Sequence, residues 1–207
     1  MAKTKEQLLN ILDQFQLDEK VVSAEPFGNG HINDTLKVTN EKGEIKYVLQ
    51  RINHLIFTNV DMLQNNIHVV TTHIRKKLEE KGETDIDRKV LTFLPTKDGK
   101  KYYFDGDSYW RVCLFIPRSK SYEEVTPELS YEAGKAFGDF QTMLSDIPEG
   151  TLGETIPDFH NMEFRLKQLR DAVATNAAGR PVGRGERFGR GDRETCRSDV
   201  HSRTPVP

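Results

Sequence analysis

The segment from residue 21 to residue 52 constrains the fold most, because it alternates β-forming runs with two turns. The run from Val21 to Phe27 is rich in β-branched and apolar residues, and alternation resumes at Leu36. Asn40-Glu41-Lys42-Gly43 is typical of a hairpin turn. A third run extends from Ile45 to Ile52. We therefore expect an antiparallel sheet of three consecutive strands.

The first turn carries two glycines separated by one small polar residue. Glycines allow the backbone to approach a ligand closely, and free N–H groups in such a turn can point at phosphate oxygens. The same Gly-x-Gly pattern also occurs in plain tight turns. The candidate ligand-binding residues of this turn are Gly28, Asn29, Gly30, His31, Ile32 and Asn33.

The third strand offers two polar side chains that could reach a ligand held by the turn. Side chains alternate between the faces of a strand, so Leu49 and Arg51 share one face. Val48, Gln50 and Ile52 share the other face. The pattern leaves open whether Gln50 or Arg51 would contact the ligand.

Helical patterns flank this sheet segment. Thr4-Lys5-Glu6-Gln7 is a capping-box pattern that precedes apolar residues at helical spacing, and we expect that helix to cover an edge or end of the sheet. A long helix is predicted to begin at Thr58-Asn59-Val60-Asp61 and to end at Gly82. The inward polar candidates on it are Gln64, Asn65 and Asn66.

The remaining patterns alternate short strands with helices. Strands are predicted over residues 89–94, 102–104 and 109–116, the last of them ending at Pro117. One further helix begins at Thr126-Pro127, and another takes Phe164, Leu166, Leu169 and Val173.

A glycine-bearing hairpin, a polar third strand and a long helix occur in this order in protein kinases. GNGHINDT, YVLQRIN and IPDFH resemble the kinase-like small-molecule phosphotransferases, the aminoglycoside phosphotransferase and choline kinase type. Within these enzymes the motifs are most similar to the N-acetylhexosamine 1-kinases. Two departures stand out, because Asn33 replaces a glycine of the kinase loop and Gln50-Arg51 stands where kinases have lysine.

The resemblance implies MgATP-dependent transfer of a phosphoryl group to the hydroxyl of a small molecule, here the 1-hydroxyl of an N-acetylhexosamine. It places the glycine turn over the phosphates, with Arg51 or Gln50 touching them. It also places adenine at a linker that begins at Phe115 and Ile116. It implies an α+β fold, namely a protein-kinase-like N-lobe followed by the first helices of a C-lobe.

The same family uses a His-x-Asp loop with an asparagine about five residues on, and then an acidic metal-binding motif. No aspartate after Ile116 combines both the histidine and the asparagine. We therefore expect a chain truncated before the catalytic loop, with no catalytic residue, no metal ligands and no turnover by itself. Its C-lobe helices, including Phe137, Phe140 and Phe164, are expected to be partly exposed and to favour aggregation.

Composition restricts the class of protein further. The net charge of −2, the 36% hydrophobic content and the lack of a long apolar run indicate a soluble chain with no membrane partner, and nucleic acid is a poor candidate partner. Cys113 and Cys196 make neither a disulfide framework nor a zinc pattern, so a cytoplasmic location is expected. His68 and His73 lie off one helical face, which argues against a metal pair, and His160 is expected to cap or pack.

The composition changes abruptly at Gly179. From there the chain contains seven arginines and no lysine, set among glycine, proline, serine and acids. An RGG-like nucleic-acid tail, a native disordered linker and an out-of-frame end compete as explanations, and we favour the last. The predicted organisation is an N-lobe over 1–116, a linker over 117–125, partial C-lobe helices over 126–178 and a disordered tail over 179–207. The competing hypothesis is a non-catalytic nucleotide-binding or protein-interaction module.

Overall fold

The computed structural model describes residues 3–28, 30–122, 124–176 and 179. They fall into two compact units, Met1–Ile156 and Pro157–Pro207. The tail predicted over 179–207 lies outside the described residues, apart from Gly179. The fold is α+β, with a six-stranded antiparallel sheet and four α-helices among the described residues.

The sheet is built on the three consecutive strands expected from the sequence. These are β1 (Val21–Pro26), β2 (Asp34–Asn40) and β3 (Ile45–Ile52), paired antiparallel in that order. The next three strands are β4 (Phe93–Leu94), β5 (Tyr103–Phe104) and β6 (Tyr109–Leu114). Strand β6 pairs with β3 along its whole length, and both β4 and β5 pair with β6. The strand order is therefore β1-β2-β3-β6-β4.

Helix α1 (Lys5–Leu12) begins at the predicted capping box, in which Thr4 and Gln7 bond reciprocally. It contacts β1, the edge strand, which agrees with the predicted position at an edge of the sheet. Leu8, Ile11 and Leu12 also pack against side chains on one face of the sheet, including Leu36, Val38, Leu49, Trp110 and Val112. This cluster is the larger part of the core.

Helix α2 (Val60–Glu80) packs on the opposite side of β3. Asn59 caps its N-terminus through its side chain, and Gly82 follows its C-terminus with a φ of 68°. Ile52 forms a second buried cluster with Val60 and Leu63 of α2. Because Leu49 and Ile52 lie in different clusters, the predicted alternation of faces along β3 is confirmed.

The predicted strand over 89–94 is wrong at its start. A 3-10 helix, Ile86–Arg88, occupies the preceding turn, and the N–H groups of Lys89 and Val90 donate to the Ile86 carbonyl at 2.8 and 3.0 Å. Those donors are therefore used locally, and the sheet ladder begins only at Phe93. Strand β6 also ends two residues earlier than predicted, at Leu114.

Helix α3 (Pro127–Leu144) begins with the predicted threonine cap and proline. It belongs to the same compact unit as the sheet, although none of its described side chains is fully buried. Met143 and Leu144 contact the cluster formed by Ile74, Leu78 and Val90. Helix α4 (Met162–Thr175) lies in the second unit, and its N-terminus is capped by Asn161.

Candidate functional site

The glycine turn joins β1 to β2 with its backbone open on one side. The Phe27 N–H donates to the Thr35 carbonyl at 2.9 Å, which closes the hairpin below the turn. Gly28 has a φ of 80°, a conformation that glycine adopts without strain. A Cβ at Gly28 would meet no atom within 4 Å, and one at Gly30 would only just reach the Asn33 carbonyl at 4.0 Å. The turn therefore has room for a group to approach its backbone.

This turn forms one wall of a cavity of about 680 Å³. The opposite wall comes from α1, the segment before it and the adjoining sheet face. Three cationic residues line the cavity, namely Lys3, Lys5 and Arg51. The other lining residues are Leu8, Ala24, Pro26, Phe27, Gly28, Gly30, Asn33, Asp34, Thr35, Leu36 and Trp110. The volume is in the range of small-molecule sites.

Arg51 lies on the cavity side of β3, where it is already paired. Its Nε donates to Asp34 Oδ2 at 2.6 Å, and its Nη2 contacts the same oxygen. Asp34 stands directly opposite Arg51 in the β2–β3 register. An anion that bound to Arg51 would therefore compete with the Asp34 carboxylate.

Gln50 points to the other face of the sheet, towards α2. Its Nε2 donates to Thr35 Oγ1 at 3.0 Å, and its Oε1 accepts from Arg111 Nε at 2.9 Å. The structure thus separates two residues between which the sequence pattern could not choose. Arg51 shares a cavity with the glycine turn, whereas Gln50 is held in a polar chain across the sheet.

The predicted linker residues lie at the end of β6. The Phe115 ring packs edge-on against Phe27, with centroids 5.9 Å apart and an interplanar angle of 72°. The Phe115 N–H donates to the Lys46 carbonyl at 2.9 Å, which extends the ladder beyond β6. Ile116 is half-buried, and its carbonyl accepts from Ser119 Oγ at 3.2 Å. The first residue of the predicted linker therefore touches the residue that opens the glycine turn.

The remaining predicted turn residues occupy different environments. His31 and Ile32 are exposed. Asn33 is half-buried, and its Oδ1 accepts from the Asn53 N–H at 3.0 Å, which ties the turn to the end of β3. Asn29 lies outside the described residues.

Helix α2 presents no acid to either β3 candidate. Gln64 is buried as predicted, but Asn65 is exposed and accepts from Lys101 Nζ at 3.1 Å, so its inward placement is corrected. Asn66 is half-buried and bonds both backbone polar groups of Gly153. Glutamates 79 and 80 are exposed near the end of the helix. The described contacts of α2 therefore include no ion pair with Arg51.

Metal-binding geometry is not found in the described part of the chain, where no three His, Cys, Asp or Glu side chains cluster suitably. His73 Nε2 contacts Asp146 Oδ1 at 2.9 Å, a link between α2 and the loop after α3. His160 is exposed and packs edge-on against Phe159, while Asn161 caps α4. Of the two roles predicted for His160, the cap of α4 is therefore supplied by Asn161, and the packing role stays a prediction.

One aspartate and asparagine after Ile116 have the spacing found in a kinase catalytic loop, but the structure places them within a helix and at its end. Asn176 lies five residues after Asp171, the interval of a kinase catalytic loop, but Leu169 stands where that loop has histidine. The Asp171 carboxylate accepts from Lys167 Nζ at 2.7 Å within α4, and Asn176 ends the helix with a φ of 42°. Asp171 therefore lies within helix α4 and Asn176 at its end, and the two do not form a catalytic loop.

Sequence reasoning missed two polar residues that organise the sheet. Arg111 interrupts the apolar run of β6, and that interruption was the available signal. Asp105 accepts from Trp110 Nε1 at 2.9 Å and pairs with Lys3 at 2.8 Å. Burial alone would raise the Asp105 pKa, but Lys3, the Ser108 and Asp107 N–H groups and Trp110 together lower the pKa to about 2.

Comparison with protein-family models found no match to this chain. Among the helices that the structure describes, none is long and apolar enough to cross a membrane.

Proposed function

We propose that this chain is the nucleotide-binding part of an ATP-dependent small-molecule phosphotransferase. The observation that carries the proposal is the shared cavity of the glycine turn and Arg51, together with the contact between Phe27 and Phe115. Phosphate oxygens would meet turn N–H groups and the Arg51 guanidinium, which binds phosphate bidentately. The order of the elements also supports the proposal. After the glycine hairpin and β3 the chain forms helix α2, and only later does β6 pair beside β3. Protein kinases have a glycine-bearing hairpin, a third strand and a helix in the same order.

The residues present fit a nucleotide better than they fit its metal ion. Lys3, Lys5 and Arg51 line the cavity, of which Lys3 is paired with Asp105 and Arg51 with Asp34, the carboxylate among the lining residues. Magnesium prefers several oxygen ligands, and no cluster of three candidate ligands occurs among the described residues. We therefore expect ATP to bind without a requirement for Mg²⁺.

The acceptor follows from the resemblance alone. GNGHINDT and YVLQRIN favour the hydroxyl of a sugar of the N-acetylhexosamine class, in a cytoplasmic enzyme. A catalytic aspartate with the family spacing and its histidine is not present in the 207 residues. We expect nucleotide binding but no phosphorylation by this polypeptide alone.

A thermal-shift titration with ATP in EDTA tests the binding step. At ten times the Kd, binding would contribute about 1.4 kcal/mol and raise the melting temperature by about 3–6 °C. Gly28→Val should abolish that shift because a branched side chain would block the turn. Gly43→Val is the matched control, since Gly43 has a φ of 81° and equally open surroundings in the β2–β3 turn.

The outcomes separate the two functions. Loss of the ATP shift in Gly28→Val, with the shift retained in Gly43→Val, supports the phosphotransferase proposal. No shift in the natural chain, or an equal shift in both variants, contradicts it. The competing function, a non-catalytic interaction module, is favoured by the existing ion pair between Arg51 and Asp34.

A further inference from the structure

Arg111 is a cation in an apolar strand, and its charge is not neutralised by any described carboxylate within ion-pair distance. Its Nε donates to Gln50 Oε1 at 2.9 Å, and its guanidinium carbon lies 5.4 Å from the centre of the Phe93 ring. Its Nη1 is buried and has no hydrogen-bond partner. The Arg111 side chain is therefore in contact with the neutral amide of Gln50 and the aromatic ring of Phe93.

The unpaired charge of Arg111 costs free energy in the folded chain. Arginine keeps its charge inside proteins, and a buried charge without a counter-ion is costly. Burial lowers the Arg111 pKa, which shows that its surroundings disfavour the charge. A ligand that brought a carboxylate to the guanidinium would offset this cost with charge-assisted hydrogen bonds.

A cavity of about 540 Å³ lies beside Arg111, between α2, the segment before β4 and α3. Its lining is mostly apolar and includes Ile67, Val70, Phe93, Phe140 and Met143. Such a lining suits the hydrocarbon body of a small ligand.

A second unpartnered donor lies in an adjoining cavity of about 440 Å³. Gln64 is only 3% exposed, and its Nε2 has no hydrogen-bond partner. Both cavities are lined by Ile67, Thr71, Leu91 and Phe93. Two buried donors without acceptors on this side of the sheet favour a ligand that brings acceptor atoms.

The charged residues of the larger cavity favour a ligand with a single negative charge. Lys89 also lines the larger cavity, but its Nζ is paired with Glu83 at 2.5 Å. In the smaller cavity, Arg75 Nη2 is paired with Asp87 at 2.6 Å, and Lys101 Nζ donates to Asn65 Oδ1 at 3.1 Å. In the larger cavity, a doubly charged phosphate would find one unpaired cation, whereas a monocarboxylate would be matched.

We propose that the cavity beside Arg111 binds a monocarboxylate with an apolar or aromatic body. The carboxylate accepts from the Arg111 guanidinium, and the body contacts Phe93, Phe140 and Met143. This site lies on the α2 side of the sheet, and none of these residues lines the cavity of the glycine turn. The inference is therefore independent of nucleotide binding.

Isothermal titration calorimetry of the full chain with benzoate tests the site, with benzyl alcohol as the neutral probe of similar shape. We expect saturable binding of benzoate, and binding of benzyl alcohol weaker by about tenfold or more, since a charge-assisted pair is lost. Arg111→Met should weaken benzoate binding by a similar factor. Methionine retains apolar length, and replacement of a buried unpaired charge is often tolerated.

Arg165→Met is the matched control, because Arg165 also lies over a phenylalanine ring, at 5.3 Å from the Phe159 centroid. It should bind benzoate like the natural chain. Phe140→Ala is a second test that does not alter the sheet, and it should weaken benzoate binding because Phe140 supplies part of the apolar wall. No saturable benzoate binding up to about 20 mM, equal affinity for benzyl alcohol, or unchanged affinity in both Arg111→Met and Phe140→Ala would overturn the proposal.

Discussion

Helix α1 and helix α3 are both capped by threonine and both carry apolar residues at helical spacing, but they are buried to opposite extents. Helix α1 has eight residues, of which Leu8, Ile11 and Leu12 are buried. Helix α3 has 18 residues, none of them buried. An amphipathic pattern therefore specifies a helix, while the surface against which the helix packs decides how much it contributes to stability.

The largest expected effect tests this comparison directly. Leu12 is 0% exposed, whereas Phe137 is 70% exposed. Leu12→Ala should reduce the free energy of unfolding by about 2–5 kcal/mol, because it leaves a cavity in the core. Phe137→Ala should change it by less than about 0.5 kcal/mol. Urea denaturation measures both values, and comparable losses would mean that α3 is buried in solution.

A second test compares two aspartates with similarly lowered pKa values near the two helices. Asp105, beside the start of the chain, has a side chain 9% exposed, whereas Asp146, after α3, has one 56% exposed. Asp105→Asn should cost about 1–3 kcal/mol because buried donors lose their charged acceptor. Asp146→Asn should cost less, since its pairs with Lys77 and His73 are solvated. An equal or larger effect of Asp146→Asn in denaturant titrations would contradict the comparison.

Glycines on α3 and in the loop beside α2 sharpen the contrast. A Cβ at Gly153 would collide with the side chain of Met62, whereas one at Gly138 of α3 would meet nothing within 4 Å. Gly153→Ala should destabilise the fold by about 1–3 kcal/mol through overpacking. Gly138→Ala should stabilise it by up to about 1 kcal/mol, because alanine favours the helix. Thermal melts of the two variants should therefore shift in opposite directions, and shifts of the same sign would break the contrast.

The effect that we expect to be smallest is the loss of folding stability at acid pH through Asp105. The pKa of Asp105 is about 2 in the folded chain and 3.8 ordinarily, so the unfolded chain binds its proton first as pH falls. The stability that Asp105 contributes is therefore complete above a pH of about 4 and is lost as pH falls towards 2. Melting temperatures between these pH values should decline less steeply in Asp105→Asn. Identical slopes would show that Asp105 does not keep its lowered pKa.

Much of the sheet could be predicted because local signals agree with tertiary contacts. The turn residues of 40–43 and the alternation along β3 specify both the hairpin and its faces, as Leu49 and Ile52 show. The start of β4 could not be predicted, because Lys89 and Val90 are recruited by the Ile86 carbonyl. Sequence periodicity does not report such a competing turn.

The structure brings four of the predicted residues, Gly28, Gly30, Asn33 and Arg51, to one cavity, but the other predicted residues that it describes do not line that cavity. The turn and Arg51 could be proposed from spacing, whereas the Asp34–Arg51 pair depends on strand register. The placement of α1 on a sheet face, which brings Lys3 and Lys5 to the cavity, depends on packing between distant segments. The interruption of the apolar run of β6 marks Arg111 in the sequence, but its lack of a counter-ion among the described residues depends on residues distant in the chain.

The proposed function requires that the glycine turn and Arg51 hold a nucleoside triphosphate. Two-dimensional amide NMR during titration with ATP in EDTA measures this binding at individual residues. We expect saturable shifts of the Gly28, Gly30 and Arg51 amides, with Gly43 unaffected. Unchanged Gly28 and Gly30 amides at ATP concentrations that shift other parts of the chain would contradict it.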